Sequence, residues 1–233
     1  VFGLHTAYDL EAGTVGLKPG INNAAVDHFR IRVHGRSTHV STPHLGVDAL
    51  YIASQIVVAV QGLVTRRTSP TEPVIIGIGK LNAGTTYNAV AAFAEMEGTT
   101  RTISQESRDR VRAQVSETAQ SIAALYGGTA EIEWTDFAAA LVNDPQVCEE
   151  AAQVVDELLG EGHVVTDREL SLSGDNFAEF ELYKPGAYAY LGTGNPDLPH
   201  TMITNHNGGF DVDENALVTG AGLYVGYTVA RLG

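Results

Sequence analysis

Between Val26 and Val33 apolar and polar residues alternate, with Phe29, Ile31 and Val33 set against His28, Arg30 and Arg32. That period of two is the pattern of a strand with one buried face. After an intervening loop the period changes. Leu45, Ala49, Ile52, Ala53, Ile56, Val57, Val60 and Val64 recur at three and four residues, one stripe of a helix of about five turns, with Thr42 as its cap and Pro43 in its first turn. Apolar runs at 74–81 and 88–101 flank Asn82-Ala83-Gly84-Thr85, a turn sequence, and are predicted to pair as antiparallel neighbours. Ser104 stands where an N-cap belongs. From there Val111, Val115, Ala119, Ile122 and Leu125 continue helically until Gly127-Gly128 stops them, and 130–134 reads as a last strand.

Residues 24–136 therefore read strand, helix, strand, strand, helix, strand, the split βαβ order of a ferredoxin-like sandwich. The flanks are poorer. Residues 1–23 are rich in Gly and Pro with only a short apolar run, and 137–233 offer a helix at 146–159, a buried strand at 187–191 and a terminal helix at 214–231. One or two strands do not close a domain core. The predicted fold class is thus α/β: an α+β ferredoxin-like βαββαβ domain at 24–136 inserted into an incomplete α/β domain built from 1–23 and 137–233. The chain reads as one that begins in mid-protein.

Composition narrows the partners. With 44% hydrophobic and 18% charged residues the chain is a folded globular protein. Its 28 acidic against 14 basic side chains give a formal charge of −14, a field that repels phosphate backbones and anionic lipid, so neither nucleic acid nor a membrane is an expected partner. No apolar run approaches the length that spans a bilayer. A single cysteine, Cys148, makes no internal disulfide, which suits a reducing, cytoplasmic location, and its neighbours make it a buried or half-buried helix residue.

Candidate chemistry concentrates in His34 to Asp48, which packs three histidines into a turn between the first strand and the first helix. An imidazole held there between two rigid elements can be aimed at a substrate oxygen, as stabilising a developing oxyanion requires. The bland reading of His39 is an exposed loop histidine.

Taken in order, several short signatures resemble one family. They are Gly3-Leu4-His5, Gly35-Arg36-Ser37-Thr38-His39 with Pro43-His44 and Asp48, Asn88, Gly98-Thr99-Thr100-Arg101-Thr102, Asn143-Asp144, Gly174-Asp175-Asn176-Phe177-Ala178, Pro185-Gly186, Leu191-Gly192, and His206 followed by Phe210 and Asp213-Glu214. The series resembles the M20 metallopeptidases and amidohydrolases, in the branch of aminoacylase-like, hippurate, aminobenzoyl-glutamate and auxin-conjugate hydrolases. The resemblance implies a ferredoxin-like lid and dimerisation domain in a zinc-peptidase-like α/β catalytic domain. It implies two divalent metals, zinc or manganese, with His5 and His206 as metal ligands converging on one cluster. It implies that His39 reaches the active site of the opposite subunit of a homodimer and polarises the scissile carbonyl. Asn88 and Arg101 then hold the carbonyl and the terminal carboxylate of an N-acyl amino acid or small peptide-like substrate. The remaining ligands and the general-base glutamate come, in that family, from a segment ahead of the Gly-Leu-His motif, so the metal site of this chain is expected to be incomplete and the isolated chain inactive. Asn176 stands where a second acidic residue is usual, and His200 is a rival to His206. The alternative function is a non-catalytic dimerisation or binding module.

Overall fold

A computed structural model describes residues 1–233. In chain order the elements are β1 (Phe2–Glu11), β2 (Val15–Gly16), β3 (Gly20–Asn23), β4 (Ala25–His34), α1 (Ala49–Arg67), β5 (Ile75–Ala83), β6 (Phe93–Thr102), α2 (Gln105–Leu125), β7 (Thr129–Ala138), β8 (Leu141–Asn143), α3 (Pro145–Leu159), β9 (Val164–Val165), α4 (Ala178–Glu181), β10 (Ala187–Gly194) and α5 (Asn215–Leu232). They fall into two compact units, one of residues 24–140 and 172–174, the other of 1–23, 141–171 and 175–233.

The first unit is a four-stranded sheet in the order β5-β6-β4-β7, all neighbours antiparallel, with α1 and α2 joining the strands in the βαββαβ sequence read from the chain. One face of the sheet carries Phe29, Ile31, Val33, Ala94 and Met96, which pack with Ile52, Ile56 and Val60 of α1 and Val111, Val115 and Ala119 of α2 into one buried cluster. The helices supply the cover that a one-sided sheet needs, since each apolar stripe leaves water only against another apolar surface. Ser104 caps α2 as its sequence position implies, its hydroxyl accepting from the amide of Ser107 at 3.1 Å.

α1 starts later than its periodicity suggests. Pro43–Leu45 forms only a short 3₁₀ turn, Thr42 makes no capping bond, and the helix is opened instead by the Asp48 carboxylate, which accepts from the amides of Leu50 and Tyr51. A full-length carboxylate acceptor at a helix N-terminus, where the dipole favours negative charge, outcompetes a threonine hydroxyl six residues upstream. α1 also corrects the expectation about membranes: it is long and apolar enough, by length and composition alone, to cross one. Its apolar side is nevertheless spent inside this unit, where Ala49, Ile52, Ala53, Ile56, Val60 and Leu63 are buried.

Gly98, at the centre of β6, has no room for a side chain. A Cβ there would stand 2.3 Å from Phe29 Cζ and 2.5 Å from the carbonyl oxygen of Gly77, and one of these is backbone that cannot yield. Gly98→Ala is expected to destabilise the protein by about 2–3 kcal/mol through overpacking, read as a lowered urea midpoint at unchanged slope. A loss below about 0.5 kcal/mol would mean the β5-β6 pair shifts freely.

The second unit holds more strand than the sequence suggests. β1, in a stretch read from the chain as Gly- and Pro-rich with only a short apolar run, is a ten-residue strand paired in parallel with β10, and β2 and β9 complete a sheet of order β1-β10-β2-β9, with β3 and β8 forming a separate ribbon. The fully buried residues of β1 are the small Gly3 and Ala7, while Phe2 and Leu4, which pack against the core from the other face, are only partly buried, so the strand carries a weak apolar signal. Val15, Leu17, Val147, Ala151, Val155, Ala187, Ala189 and Leu223 nonetheless build a core between sheet, α3 and α5. Close packing of α5 on the sheet depends on Gly220, where a Cβ would lie 2.9 Å from Leu191 Cδ2. Asp144 opens α3 by accepting from the amides of Gln146 and Val147.

Cys148 sits inside this core, as expected of a helix residue among apolar neighbours. Burial, and secondarily the nearby Asp144 and Glu181 carboxylates, push its thiol up to about 11. Because the thiolate is the reactive form, Cys148 is expected to resist iodoacetamide at pH 7–8 in the folded protein and to react on unfolding, by mass spectrometry. Labelling of the folded protein as fast as of the unfolded one would contradict this packing.

Candidate active-site residues

The histidine loop and the β5-β6 connection lie at the same end of the first unit and are stitched together. Val40 donates its amide to the Asn88 carbonyl at 3.1 Å, Val90 donates to the Thr38 carbonyl at 2.8 Å, and the two segments meet in a single antiparallel bridge between His39 and Ala89. Ser37 Oγ adds a hydrogen bond to the Val90 carbonyl at 2.9 Å. Asn88, expected at the start of a strand, lies instead in this connection, because β6 begins only at Phe93. Two residues 49 positions apart in the chain, His39 and Asn88, are thereby brought to one exposed platform.

Their side chains are oriented by neighbours that sequence reasoning passed over. Nδ1 of His39 accepts from the Ser41 amide at 3.1 Å and lies 2.7 Å from Ser41 Oγ. A ring nitrogen that accepts from a backbone N–H is unprotonated, so the neutral ring carries its proton on Nε2, free to donate outward. Thr86 Oγ1 donates to Asn88 Oδ1 at 3.1 Å, which leaves the Asn88 amide N–H groups as its outward donors. The platform therefore presents two N–H donors, the equipment for holding a carbonyl oxygen and strengthening that hold as the oxygen gains charge. A serine two residues after a histidine, and a threonine two before an asparagine, are the local signals that marked these supports.

Arg101 lies elsewhere. It is eight residues along β6 from Phe93, about 27 Å at the rise of an antiparallel strand, and the platform is tied to the Phe93 end, where Gly35 donates to the Ala92 carbonyl. The open face of the sheet it shares is laced with ion pairs. Arg32 Nε donates to Glu95 at 3.0 Å and its Nη1 to Glu133 at 2.6 Å, while Glu97 takes Lys80 at 2.7 Å and lies 3.2 Å from His28 Nε2. The Lys80 bond first, and the His28 bond with it, hold the Glu97 carboxyl below the usual range, and the Arg32 bond does the same for Glu133. Arg101, on the same face by register with Val26, forms no ion pair or side-chain hydrogen bond. A half-buried guanidinium left unpaired among paired neighbours is free to take an external carboxylate as a two-pronged donor.

In the second unit His5 lies in β1 opposite Tyr190 of β10. Its ring meets the edges of Tyr188 and Tyr190 at centroid distances of 6.1 and 6.0 Å, and its Nδ1 lies 2.7 Å from the Thr6 carbonyl. A carbonyl can only accept, so Nδ1 carries the proton and Nε2 keeps its lone pair, the tautomer a metal ligand requires. Tyr188 is fixed in turn by its hydroxyl, which donates to Asp175 Oδ2 at 2.6 Å. Burial, reinforced by that carboxylate, raises its phenol well above the ordinary range. Asp175 also takes the Phe177 amide at 2.8 Å, so this acidic residue is engaged in holding its own loop.

His206 is exposed in a turn at φ 61°, the single non-glycine residue with positive φ, and its ring makes no hydrogen bond. His200 Nε2 stands 3.8 Å from Asp211. Nowhere in the chain do three or more His, Cys, Asp or Glu side chains come together to hold a metal ion. His5 has the tautomer for ligation, but the donor set present does not amount to a metal centre.

Residues 24–126 match the peptidase dimerisation domain of the M20 family. The N-acetyl-L-cysteine deacetylase of Bacillus subtilis is 34% identical over 218 residues, which is 94% of this chain and 50% of that protein. The thermostable carboxypeptidase 1 of Saccharolobus solfataricus is 32% identical over 222 residues, covering 95% and 55%. The crystal structure of the Bacillus subtilis YXEP protein, a dinuclear metal binding peptidase from the M20 family, superposes with a TM-score of 0.79 at 30% identity, covering 99% of this chain and 56% of that one. The chain is a homologue of the M20 amidohydrolases and peptidases, and it spans about half the length of the relatives it matches.

Proposed function

We propose that the protein to which this chain contributes is a metal-dependent amidohydrolase that releases free amino acids from N-acyl amino acids or small peptide-like substrates, acting as a homodimer through residues 24–126. The observation that carries this reading is the split between the two substrate-binding elements of the first unit. His39 and Asn88 present donors fit for a scissile carbonyl, and unpaired Arg101 fits a terminal carboxylate, yet they stand at opposite ends of β6. An N-acyl amino acid is far shorter than that strand, so one molecule touches both only if two copies of the chain contribute. Arg101 thus serves one subunit's site while His39 and Asn88 serve the partner's.

Two zinc or manganese ions, when bound, supply a water acidic enough at neutral pH to attack an amide. Because three donors do not converge here, we assign this chain His5 and His206 as contributing ligands and place the others, with the general base, in the half of the relatives that it does not span. His39 Nε2–H and the Asn88 amide hold the carbonyl oxygen as it becomes an oxyanion. The Arg101 guanidinium orients the leaving amino acid by its carboxylate.

Chelator-sensitive release of amino acid from a panel of N-acyl amino acids tests the reading, and no turnover of any member overturns it. Arg101→Met is expected to lower kcat/KM by roughly 10–100-fold, the worth of a charge-assisted hydrogen-bond pair, and to act mostly on substrates that carry a free carboxylate. An equal loss on a carboxyl-amidated substrate would remove Arg101 from that role. The match of residues 24–126 to a dimerisation domain favours a second reading, a non-catalytic dimerisation module; it predicts a dimer that neither retains metal nor turns over substrate.

A further inference from the structure

Beside the His39–Asn88 platform runs a groove lined by Val40, Pro43, Leu50, Thr86 and Val90 among others, bounded by the histidine loop on one side and the β5-β6 connection on the other. Its charge is spent: Asp48, the one ionisable residue on its wall, is occupied in capping α1. Val40 and Leu50 expose apolar surface there, and Tyr87, immediately before Asn88, is 96% exposed, the most solvent-bare large apolar side chain in the protein. The loop bearing it is not loose. Hydrogen bonds from Val40 to Asn88 and from Val90 to Thr38 clamp it on both sides of the bridge, so the phenol ring is held out on a fixed stem.

We infer that this groove, with Tyr87 as its flank, receives the acyl group of the substrate and sets its preferred size. The inference rests on the function proposed above. A carbonyl held by His39 and Asn88 has two substituents, one carrying a carboxylate and one not. The carboxylate end requires a cation, and the segment from Ala83 to Ala91 contains none, whereas Arg101 lies at the far end of β6. The uncharged acyl end is the one that gains by leaving water against Val40, Leu50 and the face of Tyr87. Tyr87 and Leu50 are therefore specificity-determining residues, acting in the same composite site as His39 of their own subunit.

The test compares kcat/KM of the active holoenzyme for N-acetyl, N-hexanoyl and N-benzoyl forms of one amino acid. Tyr87→Ala is expected to lower the benzoyl-to-acetyl ratio of kcat/KM about tenfold, mostly through KM. Leu50→Trp, which fills the groove from an exposed position, is expected to lower the hexanoyl-to-acetyl ratio at least tenfold. Ratios unchanged in both variants, with the wild type active, overturn the acyl groove and leave the amidohydrolase reading standing. Dissociation of the dimer by either variant in sedimentation also overturns it, because the groove would then be subunit interface. A wild type inactive on all three substrates removes both readings together.

Discussion

Mixing two inactive variants restores activity: His5→Ala and His39→Ala, each dead alone, are expected on subunit exchange to regain roughly a quarter of the wild-type rate. The figure follows from isologous pairing. If His5 serves its own subunit and His39 the partner's, random exchange makes half the dimers mixed, and each mixed dimer holds one site with both defects and one with neither. The physical basis is the separation along β6, whose backbone runs about 27 Å from Phe93, at the end where the His39–Asn88 platform is tied, to Arg101. His39→Ala alone is expected to cost about 10²–10³ in kcat, the usual loss when one oxyanion donor is removed. A Ser41→Ala variant should cost much less, since it removes only the Oγ contact and leaves the backbone amide of residue 41 donating to Nδ1, which keeps the proton on Nε2. Mixtures no more active than the two parents would show that His39 works in its own subunit, and the composite site would fall.

The largest expected effect on stability lies in a buried ion pair. Arg108 of α2 grips Asp27 of β4 through Nε, at 3.1 and 3.0 Å from the two carboxylate oxygens, and through Nη2 at 2.6 Å, with side-chain exposures of only 7% and 1%. Asp27→Ala leaves a guanidinium buried without its main counter-ion, and removal of one partner of such a pair costs about 3–5 kcal/mol. The expected result is a fall in melting temperature of about 10 °C, given the entropy of unfolding of a chain of this size. The double variant Asp27→Leu with Arg108→Met should recover most of the loss, because the charge and its desolvation leave together. Urea unfolding that shows Asp27→Ala within about 1 kcal/mol of wild type would mean that Asp136 and neighbouring water take over the guanidinium, since Asp136 Oδ2 already lies 3.7 Å from Arg108.

The same contrast between local and distant causes separates what the chain announces from what it conceals. Strands β4 to β7 and helices α1 and α2 were legible because each buries one face against the other layer, and a buried face writes itself as a period of two or of 3.6. Ser104 and Gly127 were legible for the same reason, since a cap and a left-handed stop act within a few residues. The likeness to the M20 family was legible too, from an ordered series of short signatures, and residues 24–126 match that family's dimerisation domain. β1 was not, because its fully buried residues are the small Gly3 and Ala7, and its apolar Phe2 and Leu4 are too few to write a period of two along ten residues.

What tertiary structure alone decided is who meets whom. Nothing within a few residues of His39 says that Ala89 pairs with it and brings Asn88 alongside, that Arg101 ends up alone on a face where other charges are paired, or that Asp175 is absorbed by Tyr188. Local patterns are set by each residue's own burial and backbone preference, so the sequence by itself determined the elements and the chemistry available at each position. Pairings between distant segments depend on sheet register and loop closure, which no window of the chain contains, and these placed the donors near the Phe93 end of β6 and the unpaired cation toward its other end.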